Sequence, residues 1–431
     1  MKASLLCSAT LFGSAALAFP ANLFTNDISD ETLAQINALV ANITDNLAKP
    51  QTTNVKRQFD ADAQRVDTTG EHAYQVPGPN DIRGPCPGLN TMANHGYISR
   101  SGVTTILYAA TASNKVFGQG IELSTFLAVY SSVVAGDLTT FSIGGKAKSG
   151  GLLTGVGSSL GLIGEPQGLS NSHNRFECDA SPFRADYYAT GDPVSLNIAQ
   201  FEEFAAKPLG PNGYDLSVII PWRRERIQNS VATNGRYFAG PWTHIVVNVA
   251  AHVFLYRYFA NFTAEYPEGY LDLETLKTFN GVTGEQGSFE WASGREKIPD
   301  NWYRRPIGDD YGLVGLNQDA LAAVLKYPDL IRVGGNTGEP NTFVGVDLDD
   351  LTGGVFNAQT LLEGNNMVCF AMQFINIGSP DILKGLVGNV LQAVSKLTDA
   401  LKPILQTLSC PQVSEFNGNL FEQFPGAGSG L

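Results

Sequence analysis

Apolar positions recur at helical spacing along most of this chain, and sustained alternation of apolar and polar residues is scarce. Between 103 and 143 the spacing predicts two helices, broken near Gly118-Gln119-Gly120. Residues 183–208 and 222–233 read as helical, 242–264 as a strongly apolar helical stretch, and 271–279 and 316–326 as short helices. Leu383, Leu386, Val387, Val390, Leu391, Val394, Leu397 and Leu401 predict an amphipathic helix, with Pro403 near its end. The stretches between are long and rich in turn residues. Residues 58–82 form an extended entry, and 144–170 a glycine-rich loop that lacks the Lys-Ser/Thr ending of a phosphate cradle. No internal repeat is present. The pattern predicts a mainly α fold: one helical domain of catalytic size with long loops.

The first residues change the picture of where the chain works. Lys2, the apolar run Leu5 to Leu17 and the small residues of Ala16-Leu17-Ala18 make 1–18 a secretory signal. Residues 19–57 read as a propeptide, with Leu33, Ile36, Leu39, Val40, Ile43 and Leu47 at helical spacing and the dibasic pair Lys56-Arg57 at its end. The mature domain is then 58–431, expected to be secreted. No later apolar run is long enough to span a bilayer. The 431-residue chain carries a formal charge of −13, which argues against nucleic acid or an anionic membrane as partner. Of the two glycosylation sequons, Asn42-Ile43-Thr44 and Asn261-Phe262-Thr263, only Asn261 lies in the mature chain.

Candidate chemistry centres on Arg83-Gly84-Pro85-Cys86-Pro87-Gly88-Leu89-Asn90. Two prolines stiffen the backbone around one cysteine. If a helix starts just after Pro87, its free N–H groups and positive end face the Cys86 sulfur and favour thiolate over thiol. Such a sulfur serves as a nucleophile, a redox group or a metal ligand. The mature chain has three further cysteines, Cys178, Cys369 and Cys410. Four cysteines allow two disulfides in three connectivities, or one disulfide with a ligand cysteine and a spare. A second stretch, Glu177-Cys178-Asp179-Ala180-Ser181 with Arg184 after it, offers two carboxylates and a hydroxyl to a hard cation. Read blandly, the same residues cap and charge a helix start.

Together the two stretches resemble a known family. Pro85-Cys86-Pro87 with the following Gly-Leu-Asn-Thr-Met-Ala-Asn-His-Gly-Tyr-Ile, then Glu177-Cys178-Asp179-Ala180-Ser181 and Arg184, is similar to the fungal haem-thiolate peroxidases, the chloroperoxidases and unspecific peroxygenases. The approach Ala73 to Gly84 and the run Glu225 to Asn234 are like the family's long members, and the likeness covers roughly 67–410. The resemblance implies a chloroperoxidase-like helical domain around haem b, with Cys86 as the axial thiolate of the iron. It implies a magnesium or manganese ion held by Glu177, the Cys178 carbonyl and Ser181, with Asp179 supporting. It implies hydrogen peroxide and a small organic, aromatic or apolar, substrate. It also implies a Cys369–Cys410 disulfide, which at a separation of 41 contributes roughly 4 kcal/mol by restricting the unfolded chain.

Two departures stand out. Cys178 occupies a place where the family has His or Gly, and reads as a buried small residue, a disulfide partner or a redox-sensitive thiol. The family's distal Arg and Glu fall, by ungapped count from Asn234, on Thr243 and Ala250, and no acid lies between Glu225 and Glu265. The same helix carries His244, Asn248 and His252 on one face. His244 and His252 are the candidates for distal acid–base work, against a plainer role as hydrogen-bonded packing groups. Trp222-Arg223-Arg224-Glu225-Arg226 reads as a solvated helix face, and His95 as a packing histidine. Phe238, Trp242, Phe254 and Tyr256 are core residues or channel walls.

Overall fold

The computed structural model describes residues 59–137, 140–147, 167–357, 359–373, 402, 410–414 and 416–427. The expected signal, the expected propeptide, the amphipathic helix expected over 383–401 and most of the glycine-rich loop lie outside these residues. Helices of eight residues or more with both ends among the described residues, numbered in chain order, are α1 Pro87–Asn94, α2 Ile106–Phe117, α3 Ile121–Val134, α4 Ile198–Ala205, α5 Leu216–Thr233, α6 Asn248–Phe259, α7 Leu273–Asn280 and α8 Leu313–Lys326. The fold is mainly α. The strands are two or three residues long, as in the antiparallel pair Val103–Thr105 and Thr140–Ser142.

The break between α2 and α3 falls at Gly118, whose φ of +64° ends α2 in the left-handed region. A side chain there is also barred by packing, since a Cβ would lie 2.5 Å from Arg305 Cγ. α2 and α3 pack as a pair, while α6 packs on α5, α7 and α8, and α7 also meets α1. α6 is therefore enclosed on several sides, and its polar residues Asn248 and His252 are buried along with its apolar ones. Just before it, Thr243–Val247 form one π-helical turn.

Three expectations need correction. Residues 183–208 are not one helix. Tyr187–Thr190 and α4 are separated at Gly191 (φ +77°), and Asp192 accepts the Val194 and Ser195 N–H groups. α5 begins at Leu216 rather than beyond Pro221, capped by Asp215, and the proline sits inside the helix. The 222–226 run is not a solvated face: Trp222, Arg223 and Arg226 are buried. Only Arg224 and Glu225 turn outward, to Asp329 at 2.7 Å and to Lys207. Cys369 and Cys410 are joined by a disulfide, with Cα atoms 5.4 Å apart. Asn261, just past α6, is half-buried and its Oδ1 accepts the Tyr303 N–H at 2.9 Å. No helix among the described residues is long and apolar enough to cross a membrane.

Candidate active site

A cavity of ≈ 250 Å³ opens between α1, α2, α3 and α6, and Cys86 is on its wall. Cys86 is the N-cap of α1 and Pro87 the first residue of the helix. The sulfur lies deep in the protein, yet the residue is exposed because it faces this cavity. Burial pushes the thiol up, while the backbone N–H groups of Leu89 and Gly88 and the charge of Arg184 pull it down. A cation bound to the sulfur would reverse the balance.

The loop carrying Cys86 is locked from the far side of α1. Asn90 Oδ1 accepts the Gly84 N–H at 2.9 Å, and its Nδ2 donates to Gly84 O and Glu296 Oε1 at 2.8 Å each. One turn on, Asn94 donates to the carbonyls of Gly294 and Glu296, and accepts from Arg83 Nε. His95 is a packing histidine as expected: its Nε2 accepts the Ile298 N–H, and Nδ1–H donates to the His72 carbonyl. Gly84 has no room for a side chain, since a Cβ would lie 1.9 Å from the Ile143 carbonyl. Asn90, Asn94 and Glu296 escaped the sequence reading. Two asparagines four apart on a buried helix face were their only signal.

The second stretch also reaches the cavity, through Glu177, Cys178, Ser181 and Arg184. Glu177 accepts His173 Nδ1–H on Oε2 at 2.6 Å, while its buried Oε1 has no partner. Burial raises its pKa. Arg184 is buried, and its Nε and Nη2 have no partner. Among the described residues no three His, Cys, Asp or Glu side chains gather into a metal-binding cluster. The turn is held open by Ala180 at φ +57°, a conformation rare for a residue with a side chain. Asp186 accepts the Ala180 N–H, and Asn234 donates to both Asp179 and Asp186. Burial and the neighbouring Asp186 push the Asp179 carboxyl well up.

Opposite, α6 and its leading π turn present Val246, Val247, Ala250, Ala251, Phe254 and Leu255 to the cavity, with Tyr258 a turn further on. Of the expected aromatic walls, only Phe254 lines it; Phe238, Trp242 and Tyr256 pack elsewhere. The His244–Asn248–His252 face points the other way. Asn248 Nδ2 donates to the carbonyls of Asp179 (3.1 Å) and Ala180 (3.0 Å), and its Oδ1 accepts Arg223 Nε at 2.7 Å. Arg223 also donates to the His244 carbonyl. His244 donates from Nε2 to Leu330 O at 2.9 Å, and His252 from Nδ1 to Asn248 O at 2.8 Å. Burial pushes both imidazoles down to about 3.

Comparison with known proteins decides the family. A family profile described as "Peroxidase, family 2" matches residues 72–307. The chain is 43% identical over 380 residues, 87% of this chain and 90% of the relative, to a dothistromin biosynthesis peroxidase of Dothistroma septosporum. The chain belongs to the fungal haem-thiolate peroxidases. It is 40% identical over 382 residues to an aromatic peroxidase of Fusarium equiseti, covering 86% of each protein. To an aromatic peroxygenase of Coprinellus radians it is 33% identical over 244 residues, 56% of this chain and 85% of that one. The chain is thus a peroxidase-family oxidoreductase, and the family implies haem.

Ala250, the counted place of the Glu, does face the cavity, with a methyl group. The distal role expected of His244 and His252 is corrected by the geometry. Neither lines the cavity, each spends its N–H on a backbone carbonyl, and burial keeps both neutral.

Proposed function

We propose that this chain is a secreted haem-thiolate peroxidase or peroxygenase that uses hydrogen peroxide to oxidise or oxygenate a small aromatic or apolar substrate. One observation carries the reading. The Cys86 thiol, at a helix start, opens onto an apolar cavity that also receives the buried guanidinium of Arg184, whose Nε and Nη2 lack a partner. Haem b fits these residues, with the Cys86 sulfur for iron, Arg184 for a carboxylate of the macrocycle and carbon walls for its faces. When bound, haem supplies the redox chemistry of peroxide cleavage, which an axial thiolate favours.

The chain's own residues do the rest. The Gly88 and Leu89 N–H groups stabilise negative charge on the Cys86 sulfur. Asn90 fixes the loop that carries it. Glu177 Oε1, the Cys178 carbonyl and the Ser181 hydroxyl offer hard oxygens to magnesium or manganese, and His173 holds the other carboxylate oxygen in place. The apolar walls exclude water and admit apolar substrates. The names of the relatives, an aromatic peroxidase and an aromatic peroxygenase among them, support an aromatic substrate. The signal at 1–18 supports export.

A second reading is favoured by Ala250. With no acid or base at that place, the proton between the peroxide oxygens must move by another route, and the protein is then a haem-binding member with slow or altered peroxygenase activity. Absorption spectra of the mature protein test both. A Soret band and a strongly red-shifted ferrous–CO band are expected, and both are lost in Cys86→Ala. No Soret band, or a disulfide between Cys86 and Cys178 by mass spectrometry, overturns the haem reading. Haem without peroxide-dependent product from an aromatic panel selects the second.

A further inference from the structure

We propose that the protein oxidises bulky reductants at its surface, on Tyr187, by an electron path that leaves the cavity through His173. Glu177 lines the cavity and is bonded at 2.6 Å to the His173 ring, which is itself buried. The centroid of that ring is 4.9 Å from Tyr187 and 5.2 Å from Tyr188, and the two tyrosine rings are 5.0 Å apart. Tyr187 is 39% exposed. One imidazole therefore separates a side chain on the cavity wall from a phenol in water, over contacts short enough for electron tunnelling. The Arg236 guanidinium stands 5.0 Å over the Tyr188 ring. A cation on a π face favours the electron-rich ring and makes oxidising it harder. The hole settles on Tyr187, whose hydroxyl can release its proton to solvent.

The proposal rests on the peroxidase reading, which supplies the oxidant. In each step Tyr187 gives one electron toward the cavity and one proton to water, then recovers an electron from the reductant and a proton from water. Two such steps convert one peroxide and two protons into two waters. The reductants served are those too large for a cavity of ≈ 250 Å³.

The test compares ferrocytochrome c, which cannot enter, with naphthalene, which can, and adds freeze-quench EPR after peroxide. Tyr187→Phe should lose ferrocytochrome c oxidation and the tyrosyl radical signal while keeping naphthalene turnover and the Soret band. Tyr188→Phe should keep all four. Unchanged ferrocytochrome c oxidation in Tyr187→Phe overturns the proposal, as does loss of naphthalene turnover in the same variant, which would mark a structural role. A wild-type protein that turns over naphthalene but not ferrocytochrome c overturns this proposal alone. Failure with both substrates overturns the peroxidase reading beneath it.

Discussion

On the Cys86 side of the cavity, polar groups are paired into a fixed frame; on the α6 side, the surface facing the same space is almost entirely carbon. Asn90 and Asn94 tie α1 to Gly84, Arg83 and the 294–296 strap, so the sulfur stands on a scaffold with little freedom. α6 is no poorer in polar residues, but it spends them on its other face, where His244, Asn248 and His252 bind backbone and Arg223. The difference separates two tasks. A preorganised ligand needs rigid anchoring where it is held. A proton shuttle needs a titratable group aimed into the cavity, and at Ala250 there is none.

The sharpest way to break the contrast is to give the distal wall its acid. Ala250→Glu places a carboxyl on the cavity side of α6, where burial will raise its pKa. A positioned acid–base group is worth on the order of a hundredfold or more in proton transfer. Peroxide-dependent turnover of naphthalene should rise by about that factor. An unchanged rate means that proton transfer at this wall does not limit the reaction.

The anchoring of the other wall is tested by Asn90→Ala. It strands the Gly84 N–H and carbonyl and the buried Glu296 carboxyl, at a cost of about 3 kcal/mol. The denaturant midpoint should fall, and the ferrous–CO band should weaken as the Cys86 loop loosens. A stability loss with an intact band would show that α1 alone positions the sulfur. A somewhat smaller effect is expected for Asn248→Ala, about 2 kcal/mol, from two carbonyls and the Arg223 Nε left without their partner. Because those carbonyls belong to the turn that carries Cys178 and Ser181, Mn(II) binding followed by EPR should weaken too. Unchanged Mn(II) affinity would place the cation elsewhere.

These two walls also differ in how far the sequence revealed them. Cys86 and its helix were legible because their signals are local: flanking prolines, glycine and a run that starts a helix directly after them. The α2–α3 break was legible for the same reason, at Gly118. The distal face was not, because periodicity shows which residues share a face but not what that face meets. α6 is buried on nearly every side, polar residues included, so no solvent-facing stripe marks its orientation. Residues two apart on a helix differ by about 200° of rotation, so Asn248 and Ala250 look in nearly opposite directions. The helix count puts Ala250 on the cavity wall, while His244 and His252 lie off it. Arg223 and Arg226 were misread for a related reason, since charge alone does not reveal that an arginine's bonds lie inside, to Asn248, His244 and Ser181.

The histidines give the finest test, because the two roles proposed for them predict different observables. A distal acid–base group alters peroxide activation when removed; a packing histidine alters stability, and does so with a particular pH dependence. Burial holds His252 at about 3 in the folded protein, below the ordinary value of 6.5. Between these limits the unfolded chain takes up a proton that the folded one refuses, so stability rises with pH across that window and is complete above it. Going from pH 7 to pH 5 should cost roughly 2 kcal/mol for one such histidine. The buried Asp179 and Glu177 carboxyls, shifted upward, act in the opposite sense. The informative quantity is therefore the difference between wild type and His252→Asn, not either curve alone. The variant should be less stable at pH 7, lose less than wild type on going to pH 5, and activate peroxide at the wild-type rate. A slower peroxide step with unchanged pH dependence of stability would return His252 to the distal side.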